Sequence, residues 1–91
     1  MTHAIVLIEA ERNAMPSLGG RLAEIVGVGQ VYSVTGVWDF VAILHLARHE
    51  QLADAVTAGI GQVEGVARTQ TLVAFEAFSK HDLEALFSVG Q

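Results

Sequence analysis

The apolar positions of the chain form short runs whose spacing alternates between the periods of strands and helices. His3 to Glu9 contains the apolar run Ile5 to Ile8, which is typical of a strand buried on both faces. A helix is predicted to begin near Asn13, because Pro16 then lies in the first turn, where its missing N–H costs nothing. Apolar residues recur at helical spacing up to about Val26, so the helix is predicted to end at the glycines that follow.

The middle of the chain predicts a β-hairpin. Val31 to Thr35 and Trp38 to Ala47 are rich in β-forming residues, and the second run is largely apolar on both faces. Gly36-Val37 between them is typical of a two-residue type II′ turn, because glycine adopts a positive φ without strain. A second helix is predicted from about His49 and a fourth strand from Val66 to Phe78.

The complete order is β-α-β-β-α-β, followed by a short predicted helix from His81 to Phe87. This order is the α+β, ferredoxin-like split-βαβ pattern, and residues 1–91 are expected to form a single domain. Two helices can cover only one face of a four-stranded sheet, whereas these strands carry apolar residues on both faces. The uncovered face predicts a second copy packed sheet to sheet, as in a dimeric α/β barrel.

Composition favours one compact core and excludes several other classes of protein. With 52% hydrophobic and 16% charged residues the chain is not disordered, and without cysteine it has neither disulfides nor a cysteine metal site. A net charge of −5 suits nucleic acid poorly, so direct binding to DNA or RNA is not expected. No signal-peptide pattern is present, and no apolar run approaches the roughly 20 residues that cross a bilayer. A cytoplasmic location away from membranes is therefore expected.

Candidate catalytic groups are few. Neither Ser33 nor Ser88 lies in a Gly-x-Ser-x-Gly motif, and no cysteine can act as nucleophile. His45 and His49 are four residues apart, but this spacing crosses the predicted junction of strand and helix, so no metal site is expected there. The chain has no glycine-rich phosphate loop, and no cofactor is predicted.

Two short segments concentrate polar groups that suit a free amino acid. Thr35 to Asp39 at the hairpin tip offers a hydroxyl, backbone N–H groups and a carboxylate, and Arg68 to Thr71 alternates hydroxyls along the fourth strand. An amino acid needs donors for its carboxylate and acceptors for its ammonium group, and these segments supply both. Alternatively, the hairpin residues only stabilise the turn and the threonines are only β-formers.

The segments Val31 to Val41, Glu50 to Leu52 and Gly65 to Val73 resemble the effector-binding domain of the Lrp/AsnC family. These proteins are the feast/famine transcriptional regulators, and the domain is also called the RAM domain. The Thr-Gly-x-x-Asp hairpin and the Thr-x-Thr fourth strand carry the resemblance, which extends from His3 to Phe78.

The resemblance implies a ferredoxin-like domain that forms homodimers through its sheet, and dimers that assemble into octamer-like rings. Small effectors, often amino acids, bind between the dimers. By position, the resemblance implies ligand-binding residues in the hairpin and on the fourth strand: Thr35, Gly36, Trp38, Asp39, Arg68, Thr69 and Thr71. Family members also carry an N-terminal helix-turn-helix domain, whereas the first strand here begins at the third residue. The chain is therefore expected to be either a fragment of a larger chain or, as Met1 at its start favours, a stand-alone domain, which would sense a metabolite or join a full-length regulator.

Three hypotheses of function follow. The first is a non-enzymatic, amino-acid-binding oligomer that acts in transcriptional or amino-acid-metabolism regulation without binding DNA itself. The alternative is a small dimeric α+β-barrel enzyme, a cofactor-free oxygenase or isomerase with His45 and Trp38 lining a pocket inside the barrel. The third is a structural oligomerisation module, which would assemble without responding to any ligand.

Overall fold

The computed structural model describes residues 1–78 of the 91-residue chain. The strands are β1 (Thr2–Ala10), β2 (Val28–Ser33), β3 (Phe40–Leu46) and β4 (Val66–Ala74). Helix α1 (Met15–Ala23) follows a 3-10 turn (Arg12–Ala14), and helix α2 passes through α (Gln51–Ala53), π (Asp54–Gly59) and 3-10 (Ile60–Gln62) turns. The predicted helix from His81 to Phe87 lies outside the described residues. Within residues 1–78, no helix is long and apolar enough to span a membrane.

All neighbouring strands are antiparallel, and their order in the sheet is β2-β3-β1-β4. The two central strands, β1 and β3, are not consecutive in the chain, because α1 and β2 lie between them. This arrangement confirms the predicted α+β, ferredoxin-like architecture. The two edge strands, β2 and β4, therefore come from different halves of the sequence.

The hairpin between β2 and β3 is wider than the sequence predicts. β3 begins at Phe40 rather than Trp38, and the backbone N–H of Val34 donates to the carbonyl oxygen of Asp39 at 3.0 Å. Four residues, 35–38, lie inside this pair, so the predicted two-residue type II′ turn is wrong. Gly36 nevertheless has a φ of +109°. The prediction rested on the ability of glycine to adopt such a positive φ.

The outer ends of two elements also differ from prediction. β4 ends at Ala74 rather than Phe78, because Ala74 already pairs with His3, close to the first residue of β1. Beyond that point no strand of the sheet remains for β4 to pair with. α1 ends at Ala23 rather than Val26, and the chain then continues through tighter turns to β2.

The core lies between the helices and one face of the sheet, called the covered face here. Side chains alternate along a strand, so every second residue of β1 and β3 points to the helices. The buried hydrophobic residues are Ala4, Val6 and Ile8 of β1, Phe40, Ala42, Leu44 and Leu46 of β3, and Ala14, Leu18, Leu22, Ala55 and Ile60 of the helical segments. Burying a single Leu or Ile side chain contributes about 1.5–3 kcal/mol, so this layer supplies most of the fold's stability.

The other side of the sheet, called the open face here, is not covered by any element within residues 1–78. Residues paired across antiparallel strands share a face. The open face therefore consists of His3, Ile5, Leu7 and Glu9 of β1, Gln30 and Tyr32 of β2, Val41, Ile43 and His45 of β3, and Arg68, Gln70, Leu72 and Ala74 of β4. Its central residues are aliphatic, which confirms the prediction that the strands are apolar on both faces.

Candidate functional site

The hairpin loop is held against the end of β1 by Asp39. The backbone N–H of Asp39 donates to the carbonyl oxygen of Ile8 at 2.9 Å, and the backbone N–H of Ala10 donates to Asp39 Oδ2 at 2.8 Å. The carboxylate thus satisfies a backbone donor that is separated from it by 29 residues. Asp39 therefore positions the loop, and its second carboxylate oxygen can still accept a hydrogen bond from a ligand.

Trp38 and Arg68 contact each other beside this loop. The Arg68 guanidinium carbon lies 4.5 Å from the centre of a Trp38 ring, a cation–π geometry. Nη2 of Arg68 also lies 3.6 Å from Oε2 of Glu9, its cross-strand partner on the open face. Both charged side chains are about half exposed, so solvent weakens the ion pair. The ring and the carboxylate orient the guanidinium, which carries five N–H donors and can bind an anion.

Thr69 and Thr71 lie on the opposite side of β4 from Arg68. They pair with Ile8 and Val6, whose side chains belong to the covered face. Thr71 contributes to a groove of about 370 Å³ between β4 and α2, whose apolar wall is formed by Leu52, Ala53 and Val56. The predicted alternation of Arg68 and the threonines along the fourth strand is therefore confirmed.

The structure thus separates the seven predicted binding residues into three groups within one chain. Trp38, Asp39 and Arg68 come together at the end of β1, whereas the threonines of β4 face the helix layer. Thr35 and Gly36 are exposed at the tip of the loop. A ligand the size of an amino acid cannot contact both faces of one strand, so a single copy does not complete the predicted site.

Sequence reasoning missed Glu9, which looks like an ordinary solvated residue at a strand end. Its contact with Arg68 follows from the register of β1 and β4, which join opposite ends of the described chain. An alternation pattern places Glu9 on a face, but it does not say which residue lies opposite. No local signal in the sequence identifies this pair.

A second cavity, larger than the groove beside Thr71, lies away from these groups. It measures about 540 Å³ and lies between the turn after α1, the end of β3 and helix α2. Most of its wall consists of Ala, Gly and aliphatic side chains, and its polar groups include His45, Gln51 and Asp54. Size alone would favour this cavity as a binding site, but the convergent charged and aromatic groups lie at the Trp38–Arg68 cluster.

The two residues of the enzyme alternative are far apart within one chain. His45 lies five residues along β3 from Phe40, which corresponds to about 17 Å of extended strand, and Trp38 precedes Phe40. His45 therefore does not share a pocket with Trp38 in a single copy. Within residues 1–78, no group of three or more His, Asp or Glu side chains is arranged to hold a metal ion.

Comparison with known sequences identifies one family. The model of the Lrp/AsnC ligand-binding domain matches residues 3–83. An uncharacterised helix-turn-helix-type transcriptional regulator of Pyrococcus furiosus is 30% identical over 77 residues, which are 81% of this chain and 51% of that protein. The chain therefore spans about half the length of this curated relative.

Solved structures agree with the sequence comparison. A protein of Thermus thermophilus is 48% identical with a TM-score of 0.82, and the match covers 88% of this chain and 100% of that chain. The feast or famine regulatory protein of M. tuberculosis, solved with L-methionine, is 25% identical with a TM-score of 0.71, covering 88% of this chain and 54% of that chain. Since the family model covers most of its length, this chain belongs to the Lrp/AsnC ligand-binding domain family.

Proposed function

We propose that this chain is a non-enzymatic, amino-acid-binding domain that acts as an oligomer in transcriptional or amino-acid-metabolism regulation. The observation that carries the proposal is the Trp38–Asp39–Arg68 cluster at the end of β1, in a chain of the Lrp/AsnC ligand-binding family. The M. tuberculosis relative, solved with L-methionine, supports an amino acid as the class of effector. The cytoplasmic location stays a prediction from the sequence.

The chemistry of the cluster suits both ends of an amino acid. The guanidinium of Arg68, together with exposed backbone N–H groups near Gly36, donates to the ligand's carboxylate. The second oxygen of Asp39 accepts from its ammonium group, while the first keeps its bond to Ala10. Because Thr69 and Thr71 lie on the other face of β4, they reach the same ligand only from a neighbouring copy. The effector site is therefore an intermolecular one.

A second copy is the proposed cover of the open face. Ile5, Leu7, Val41 and Ile43 are only partly buried there, and Leu72 is 44% exposed. Packing two such faces together removes this aliphatic surface from water, at about 25 cal/mol for each Å² buried. We propose that the sheet-to-sheet dimer is the basic unit and that dimers assemble into an octamer-like ring.

Ligand binding would act on this assembly by mass action. An effector held between dimers stabilises the assembled state by RT ln(1 + [L]/Kd), about 2.7 kcal/mol at a concentration of 100 Kd. The net charge of −5 makes the chain a poor DNA ligand by itself. It would affect transcription through a full-length regulator of the same family, as a partner in a mixed assembly.

The first test is light scattering coupled to size-exclusion chromatography, with and without pools of the twenty amino acids. We expect a mass of several dimers that shifts in the presence of one pool, because the effector binds where dimers meet. A fixed dimer that is indifferent to every pool would overturn the proposed mechanism. An assembly of several dimers that responds to no pool would instead support a structural oligomerisation module.

Calorimetric titration with the amino acid that shifts the mass then tests which residues bind it. Arg68→Gln and Asp39→Asn should each weaken binding roughly 10-fold or more, because each removes a charge-assisted hydrogen bond. Asn at position 39 still accepts from the backbone N–H of Ala10, so the loop keeps its place. Glu24→Gln is the matched control, since Glu24 is an exposed carboxylate at the end of α1. Unchanged affinity in both site variants would show that the site lies elsewhere.

A further inference from the structure

Two histidines lie side by side on the open face, at the opposite end of the sheet from Trp38 and Arg68. His3 of β1 and His45 of β3 are direct cross-strand partners. Their ring centres are 4.9 Å apart, in an edge-to-face arrangement. Both side chains are exposed in a single copy. Packing two open faces together would bury the pair, and each copy would bring one such pair into the contact.

The ring of His45 is held on the open face by the edge strand β2. Nε2 of His45 lies 3.3 Å from Oε1 of Gln30. A Cβ atom at Gly29 would overlap Cδ2 of His45, so the ring lies directly over the glycine. The same ring contacts His3 on its other neighbouring strand. The pair is therefore a fixed part of the surface that the second copy would cover.

No carboxylate of this face lies close enough to neutralise a charged pair. The strand neighbours of the pair on the open face are Ile5, Ile43, Gln30 and Ala74. Glu9 is the one carboxylate among the open-face strand residues, and it already contacts Arg68. It lies six residues along β1 from His3, which corresponds to about 20 Å of extended strand.

The other ionisable groups near the pair come from the chain ends of the strands and from α2. The N-terminal amine of Met1 precedes His3 by two residues. Asp54 of α2 lines the cavity at the end of β3 together with His45, but α2 lies on the helix side of the sheet. Arg48, in the turn after β3, is paired with Glu50 at 3.3 Å.

A second copy would bring the same set of open-face groups. Besides its own histidines these are Tyr32, Glu9 and Arg68, and the last two lie together as an ion pair. The second copy therefore offers no unpaired negative charge from its open-face strands. Protonated imidazoles in the contact would be left without a counter-charge.

We propose that His3 and His45 make the sheet-to-sheet dimer pH-sensitive, so that their protonation separates the two copies. The switch rests on the proposed dimer. Histidine is the side chain that ordinarily changes charge between about pH 5 and 8. In separate copies water hydrates the charged rings, whereas in the dimer the charges are buried beside Ile5 and Ile43 at a cost in free energy. Association is therefore strongest where the imidazoles are neutral, and it weakens as the pH falls and they gain protons.

Analytical ultracentrifugation of the intact protein tests the switch. We expect the dissociation constant of the dimer to rise at least about 10-fold between about pH 8 and about pH 5.5. The double variant His3→Gln with His45→Gln should lose most of this rise, because glutamine stays neutral. His49→Gln is the matched control and should keep the whole rise, since His49 is exposed in the turn after β3, outside the open face.

A dimer whose dissociation constant is the same at both pH values would overturn the switch and leave the dimer intact. Tighter association at the lower pH would also overturn it, because that result would show a carboxylate of the second copy facing the pair. An undiminished rise in the double variant would assign the effect to other groups. A chain that stays monomeric at about pH 8 would overturn the proposed dimer and the switch together.

A second measurement uses the wild type alone and does not depend on how the variants fold. Because the dimer holds fewer protons than the separate copies, its dissociation should take up protons. Dilution calorimetry at about pH 6, in two buffers of different ionisation enthalpy, counts them. Dissociation without proton uptake would overturn the switch.

Discussion

The two faces of the sheet are built from the same strands, yet they differ in what they contribute. On the covered face, Val6, Ile8 and Leu44 have no exposed surface, and no polar or charged side chain among residues 1–78 is buried with them. On the open face, Tyr32 is 53% and Leu72 is 44% exposed. The covered face is complete within one chain, whereas the open face still has apolar surface to bury.

The charged and aromatic side chains are also distributed unequally between the two faces of the sheet. Arg68, Glu9 and the pair formed by His3 and His45 all belong to the open face, and Trp38 lies against Arg68 at its margin. A fully buried layer that carries no polar group can stabilise the fold but cannot bind a charged ligand. The covered face therefore maintains the fold, while the open face carries the charged groups; Thr69 and Thr71, the candidate binding residues on the covered side of β4, are the exception.

The largest expected effect contrasts two leucines on opposite faces. Leu44→Ala should lower the free energy of unfolding by about 2–5 kcal/mol, because it empties a fully buried position. Leu72→Ala, at an exposed position of the open face, should cost less than about 1 kcal/mol in the isolated chain. Urea unfolding at low protein concentration measures both free energies. Equal losses of stability in the two variants would show that the covered face does not stabilise the fold more than the open face.

A charge placed on the open face tests whether a second copy covers it. Ile43→Lys should raise the dissociation constant of the dimer at least about 10-fold, because an unpaired charge would have to be buried in the interface. The fold of each chain should persist, since Ile43 is only partly buried and the lysine stem can reach solvent. Analytical ultracentrifugation measures the dissociation, with Ile43→Val as the control that keeps an apolar side chain.

The stability of the chain should fall when the hairpin loop loses the hydrogen bond between Asp39 and Ala10. Asp39→Ala should destabilise the chain by about 1–2 kcal/mol, because the backbone N–H of Ala10 loses its acceptor. Asp39→Asn should cost less, since the amide oxygen still accepts. Thermal unfolding of the two variants measures the difference. If they are equally stable, the contact with Ala10 does not hold the loop.

The smallest effect on stability is expected at Arg68. Arg68→Ala removes an exposed ion pair and one cation–π contact, which together should change the free energy of unfolding by less than about 1 kcal/mol. The same variant should weaken amino-acid binding roughly 10-fold or more if the guanidinium holds the ligand's carboxylate. Urea unfolding and calorimetry on one preparation separate the two roles. A large loss of stability would show that Arg68 maintains the fold instead.

Much of the candidate site was accessible from the sequence, because its signals are local. The Thr-Gly-x-x-Asp hairpin and the alternation along β4 mark candidate binding residues by type and spacing. The predicted turn was too short. A glycine at position 36 indicates a positive φ, but it does not indicate how many residues the turn contains. The bond from Ala10 to Asp39 and the pairing of Glu9 with Arg68 could not be predicted, because each joins segments that are remote in sequence.

The sequence by itself determined the order of the described elements, the alternation of faces within β3 and β4, and the excess of apolar surface over what two helices cover. These features depend on periodicity and composition, which any short stretch of chain carries. Only the tertiary structure decided which residues lie opposite one another, such as His3 beside His45 and Arg68 over Trp38. Register is set when distant strands pair, and shifting it by one residue would send every side chain to the other face.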